Sequence, residues 1–271
     1  MSSTTTGTTT GTTTGTTTGT TTVTTRNPAR SDVPAATDTT AEGGPTAPST
    51  TRTSRGWAVA GIVAGAAGLA GGVFSGLVNV VYRTELVGDE AGILTALSDH
   101  VVNLTLFHVL TTVSALAMAV FGLGLARRLR AALPADSLLP AMAAFGLLGT
   151  SVVQIIGTGL DTEFIFGLAN PEVTTPSAAV LYNHWVGTIP WNLVLVGLSG
   201  LAVHAASRQG AVSRGLGRTG LVLGGLSVLV AIAPVQYMAG ATGGLWILVT
   251  GIVLTVGDKA FKAAHAGRSA S

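Results

Sequence analysis

From Trp57 onward the chain alternates long apolar runs with short polar breaks. The runs lie over about residues 57–82, 101–125, 140–166, 189–206, 217–237 and 241–257. A run of about 18 or more apolar residues with few charges has the length to cross the hydrocarbon core of a bilayer as a helix. The pattern therefore predicts an all-α fold, a polytopic transmembrane bundle of six helices over residues 56–258. The breaks carry their own signals. The second run ends in Arg127–Arg130, "RRLR", and the third in "NPE", where Pro171 cannot continue a helix. Thr175 before Pro176 has the form of an N-cap followed by proline at the first helical position. Residues 176–187 are accordingly expected to form a partly interfacial helix, which Pro190 kinks or breaks before the fourth span.

Upstream, residues 4–22 repeat Thr and Gly with a period of four, and a stretch rich in Pro, Ser, Thr and Ala follows to about Arg55. Such a segment buries too little apolar surface to offset its ordering entropy, so residues 1–55 are expected to be a disordered tail. The tail lacks the charged and apolar regions of an export signal. Residues 259–271 read as a short basic tail.

Charge sets the expected orientation. With the N-terminus inside, thirteen of the fourteen Lys and Arg residues fall on the inner side, Arg83 being the exception, while the outer loops are acidic. Basic loops stay on the cytoplasmic face, so both termini are expected to be cytoplasmic. Tyr82, Tyr182, Trp185, Trp191, Tyr237 and Trp246 fall at outer ends of spans, where amphipathic rings favour the headgroup level, and Trp57 at an inner end. In the first span Ala60, Ala64, Gly68, Gly72 and Gly76 recur every fourth residue, with Gly61 and Gly65 beside them. Small residues at this spacing let helix backbones approach closely. Packing within the chain is the favoured use of this face, and a homo-oligomer seam is the alternative.

Composition narrows the class further. The chain is 47% hydrophobic and 10% charged, against roughly 25% charged in soluble domains. It has no cysteine, which excludes disulfides, thiolate metal sites and a Cys nucleophile. No basic patch is interleaved with aromatics, so nucleic acid is not an expected partner; the lipid bilayer is. Twelve Arg against two Lys, with abundant Ala, Gly and Val, read as a GC-rich bacterial source and hence a bacterial plasma membrane.

Ionisable and amide side chains within spans are functional candidates, and here they crowd the outer half: His100, Asn103 and His108 on the second span, Asp161 and Glu163 on the third, His184 and Asn192 around the fourth, Gln236 on the fifth. His100 and His108 are eight apart and share a helix face with Asn103 close by. His108 lies about 10 Å below the outer end at 1.5 Å per residue, so it needs a partner. Facing Asp161 or Glu163, it could shuttle protons, bind a metal or hold a polar ligand. No metal-binding spacing is present, so neither a metal nor a cofactor is expected, and no residue is assigned as catalytic. An interhelical hydrogen-bond cluster that fixes packing is favoured over a pocket. Gln154, alone near the middle of the third span, reads as packing glue, and both lysines lie too far inward for a retinal Schiff base. The expected role is a non-enzymatic integral membrane protein. A small-solute or proton-linked transporter is the alternative, and an intramembrane enzyme using the outer His and carboxylates comes third.

The segment "RQGAVSRGLGRTGLVLGG", Arg208 to Gly225, resembles the short inner loop of a bacterial family of six-span membrane proteins of unknown function. Arg208, Gly210, Arg214, Leu216 and Gly217 match its pattern, and the six-span layout extends the resemblance over roughly residues 57–260. The Thr-rich tail departs from it. The resemblance implies an architecture and no chemistry.

Overall fold

In a computed structural model, residues 55–188, 193–233 and 235–257 are described. The expectations for residues 1–54 and 258–271, and for Trp191 and Asn192, fall outside them. The described chain is helical, with no strand. Its helices are α1 (Gly56–Leu77), α2 (Glu90–Ser98), α3 (Val101–Arg130), α4 (Leu139–Ala169), α5 (Pro176–Thr188), α6 (Val194–Arg208), α7 (Arg214–Ile232) and α8 (Met238–Val256). Five of them, α1, α3, α4, α7 and α8, are long and apolar enough to cross a membrane. The helix at the expected fourth span, α6, has 15 residues, about 22 Å at 1.5 Å per residue.

Each of the pairs α1 and α3, α3 and α4, α4 and α6, and α6 and α7 runs antiparallel. Gly61 of α1 meets Phe121 of α3, and Gly68 and Gly71 meet Ser114 and Thr111 further along. On its other side α1 packs along α8, with Gly65 against Leu248 and Leu69 against Gly244. Next, α3 packs on α4, α4 on α6, and α6 on α7. One end of the bundle carries Arg55, Arg127–Arg130, Arg208, Arg214 and Arg218, and is called the basic end below. At the opposite end, Glu85, Asp89, Glu90, Asp99 and Glu172 lie in the connections.

A stripe of exposed aliphatic side chains marks the outward face of α3: Val102, Leu106, Val109, Val113, Leu116, Val120 and Leu123. Steps of three and four put them on one face over nearly the whole helix. Soluble monomers rarely expose so continuous an apolar surface, and in a bilayer it is the lipid contact. By contrast α6 exposes no large apolar side chain among the described residues, because α4, α7 and α8 surround it.

A close crossing lies between α6 and α7. A Cβ on Gly200 would stand 2.9 Å from Gly224 Cα and 3.0 Å from the Gly220 carbonyl oxygen, closer than side-chain carbons approach. Within α7 the Gly220–Gly224 stretch forms a π turn at this contact, a widening found mostly as single turns inside α-helices. Most of the Gly/Ala face of α1 is spent on α3 and α8, while a Cβ at Gly72 or Gly76 would meet nothing within 4 Å.

Two features depart from the sequence pattern. The first helix ends at Leu77 rather than near Tyr82, and the chain continues through short 3-10 turns at Val80–Tyr82 and Thr84–Leu86. The reason is Asn183: its Nδ2 donates to the Val78 carbonyl at 2.8 Å, and its Oδ1 accepts from the Val81 N–H at 2.9 Å. These bonds satisfy backbone groups that a continued helix would have paired internally. The second is α2, unexpected from the pattern, which Asp89 caps by accepting from Gly92 N–H at 2.9 Å. Together α2, α5 and the ends of α1, α3 and α4 enclose a second core around Leu97, Leu104, Phe107, Leu168 and Tyr182.

Candidate functional site

The buried face of α4 passes through Gln154, Thr158 and Asp161. Asp161 lies where α4 meets the first part of α3, close to α5. There His108 Nδ1 lies 3.9 Å from Asp161 Oδ2, with the carboxylate fully buried and the imidazole 28% exposed. From α5, Tyr182 reaches the same place: its hydroxyl lies beside the Asp161 carboxylate, and its ring stacks on Phe164 with centroids 4.6 Å apart. Among the described residues, neither Asp161 oxygen, nor His108 Nδ1, nor the Tyr182 hydroxyl has a hydrogen bond of good geometry.

A carboxylate removed from water with no hydrogen bond is costly. Two arrangements relieve the cost: a neutral carboxylic acid beside a neutral imidazole, or a carboxylate beside an imidazolium. Each holds one proton more than the deprotonated pair. The cluster is therefore a proton-binding arrangement by composition and geometry, whichever atom carries the proton.

Toward the middle of the bundle the polarity continues for two turns. Gln154 is 2% exposed and its Oε1 is unpaired among the described residues. It borders a cavity of about 20 Å³ shared with Thr111 and Phe107, enough for one water. Next, the Ser114 hydroxyl donates to the Ala64 carbonyl at 2.8 Å and that of Ser151 to Ala115 at 2.7 Å. Beyond them, toward the basic end, Met118, Phe121, Leu125 and Leu147 are fully buried, as are the hydroxyl-bearing Thr150, Ser199 and Thr250.

The other sequence candidates lie elsewhere. Glu163, two residues past Asp161, is exposed on another face of α4. His100 and Asn103 form a separate, partly buried group, with His100 Nδ1 3.2 Å from Asn103 Nδ2 and His100 Nε2 3.4 Å from an Arg83 nitrogen. His184 is exposed and meets the Tyr82 ring edge-on at 5.7 Å. Gln236 bonds locally to the Ala231 carbonyl at 3.2 Å. Asn192 lies outside the described residues. No three His, Asp or Glu side chains converge as a metal-binding group among the described residues.

Tyr182 is the member that sequence reasoning missed, having placed it at the headgroup level; it is fully buried. Trp246, assigned likewise, is also fully buried. For Tyr182 the signal was present. Read as a helix from Pro176, the segment puts Ala179, Tyr182, Asn183 and Val186 on one face, and all four are fully buried. Tyr82 and Tyr237 remain exposed, as belt residues should be.

Comparison with protein-family models, with curated proteins and with solved structures finds no match.

Proposed function

We propose that this chain is a non-enzymatic multi-pass protein of the bacterial plasma membrane that binds a proton at His108, Asp161 and Tyr182 in the outer half of its bundle. In this reading it has six spans with both termini cytoplasmic, and the site lies nearer the outer surface because the basic end faces inward. The observation that carries the proposal is the 3.9 Å approach of His108 Nδ1 to a fully buried Asp161 carboxylate. Two further observations support a one-sided site. His108 retains a partly exposed edge, and the large side chains of Met118, Phe121, Leu125 and Leu147 are fully buried on the basic-end side of Ser114 and Ser151. A proton-linked transporter is the second reading, favoured only by the unpaired Gln154 and its small cavity. An enzyme would need the remaining His and carboxylates to converge, and Glu163 and His184 point elsewhere. The same reading keeps the likeness of the Arg208–Gly225 loop to the six-span family of unknown function.

The test is infrared difference spectroscopy of the purified protein in vesicles across a pH titration. A carboxylic C=O band that changes with pH in the wild type and disappears in Asp161→Asn, and that shifts in His108→Gln, is the expected result. A titration identical in wild type and Asp161→Asn would overturn the proposal.

A further inference from the structure

At the basic end, far from His108 and Asp161, the turn between α6 and α7 borders an open cavity of about 690 Å³. Arg208, Arg214 and Arg218 line it together with His204, Ser207 and Ser213. Gly210, with φ +78, lets the chain reverse tightly enough to set Arg208 and Arg214 on the same cavity. Among the described residues no Asp or Glu lies within ion-pair distance of the three guanidinium groups. His204 is oriented as well: its Nδ1 donates to the Gly217 carbonyl at 3.1 Å when that nitrogen carries the hydrogen. Basic residues at this end are expected from membrane topology alone, but convergence on one cavity is not. Arg127 and Arg130, at the same end, do not line it.

We infer that this cavity binds a phosphate group. Guanidinium forks match phosphate oxygens two at a time, and three of them with no carboxylate partner among the described residues leave a positive site for an anion. The volume is far larger than a single phosphate requires, so the phosphate belongs to a larger molecule. Leu221 and Val222, one turn beyond Arg218, are 46% and 63% exposed. Three and four residues along α7 from Arg218, they offer acyl chains an apolar surface on its side of the helix, which favours an anionic phospholipid headgroup over a soluble phosphate compound. Basic pockets between membrane helices on the cytoplasmic side bind such headgroups. The inference is independent of the proton site.

The experiment uses the full chain in a zwitterionic detergent and reads thermal stability against added phosphatidylglycerol, phosphatidylcholine or inorganic pyrophosphate. Phosphatidylglycerol should raise the melting temperature in a saturable way and phosphatidylcholine should not. Arg208→Gln/Arg214→Gln should weaken the phosphatidylglycerol response by at least about tenfold in concentration, since each lost charge-assisted bond is worth more than the factor-of-ten threshold. Arg127→Gln/Arg130→Gln, with the same change in net charge, should leave it unchanged. If the glutamine pair does not fold, Arg208→Lys/Arg214→Lys keeps the charge, removes the forks and should still weaken binding. A response to pyrophosphate with the same dependence on Arg208 and Arg214 supports the phosphate site and assigns it a soluble ligand. Equal responses to phosphatidylglycerol and phosphatidylcholine, or equal losses in the two glutamine pairs, overturn the inference.

Discussion

A fully buried carboxylate is stable in a membrane bundle only with a partner, and the geometry names one. Removing either His108 or Asp161 strands the other at a cost of roughly 1–3 kcal/mol for an unsatisfied polar group, and more for a charge. Single substitutions His108→Leu and Asp161→Leu should therefore each destabilise the protein in detergent more than additivity with the double allows. The interaction term should exceed the ~0.5 kcal/mol expected of independent sites. The matching cycle with Glu163→Leu should be additive, because Glu163 is exposed on another face. A large term for Glu163 and none for Asp161 would reverse the assignment. Asn183 makes a second prediction at this scale. Its two bonds to the Val78–Val81 backbone are the reason α1 stops, so Asn183→Leu should lower stability by about 1–3 kcal/mol. It should also speed proteolysis within residues 78–89.

Helix packing divides the glycines into two classes that sequence spacing cannot distinguish. Gly200→Ala puts a Cβ against Gly224 and Gly220, and overpacking of this kind costs about 1–3 kcal/mol. Gly72→Ala meets nothing within 4 Å, and in a helix alanine is favoured over glycine by about 1 kcal/mol. Melting temperatures of the two variants should move in opposite directions. A destabilised Gly72→Ala would show that this part of α1 is covered by another copy of the chain. The same contrast explains what was legible in the sequence. Five long spans, the break at Pro171 and the start of α5 at Pro176 followed from apolar run length and proline chemistry. The end of α1 did not, because it is set by a side chain some hundred residues away. The pairing of His108 with Asp161 was one of two alternatives, since only the rotation of α4 decides which carboxylate faces inward. Tyr182 was lost because an aromatic at a span end satisfies the rule for interfacial anchors equally well, and only its helix face distinguishes the two.

At the scale of the whole molecule, a buried polar cluster lies near one end and arginines at the other. Orientation is tested by single cysteines in this cysteine-free chain: Asp89→Cys and Glu172→Cys should react with an impermeant thiol reagent in intact cells, and Ser213→Cys should not. Removing residues 2–50 while keeping Arg52 and Arg55 should leave the protein in the membrane fraction, because that tail has no apolar periodicity. The central claim, a protonatable site open to one side only, is tested most directly by infrared difference spectra of proteoliposomes with the protein inserted in a single orientation. The pH is stepped on one face at a time. A carboxylic band absent from Asp161→Asn should respond when the step reaches the face carrying residues 78–100, and stay silent when it reaches the face carrying Arg208 and Arg214. A response from the arginine face, or from both faces equally, would contradict the account.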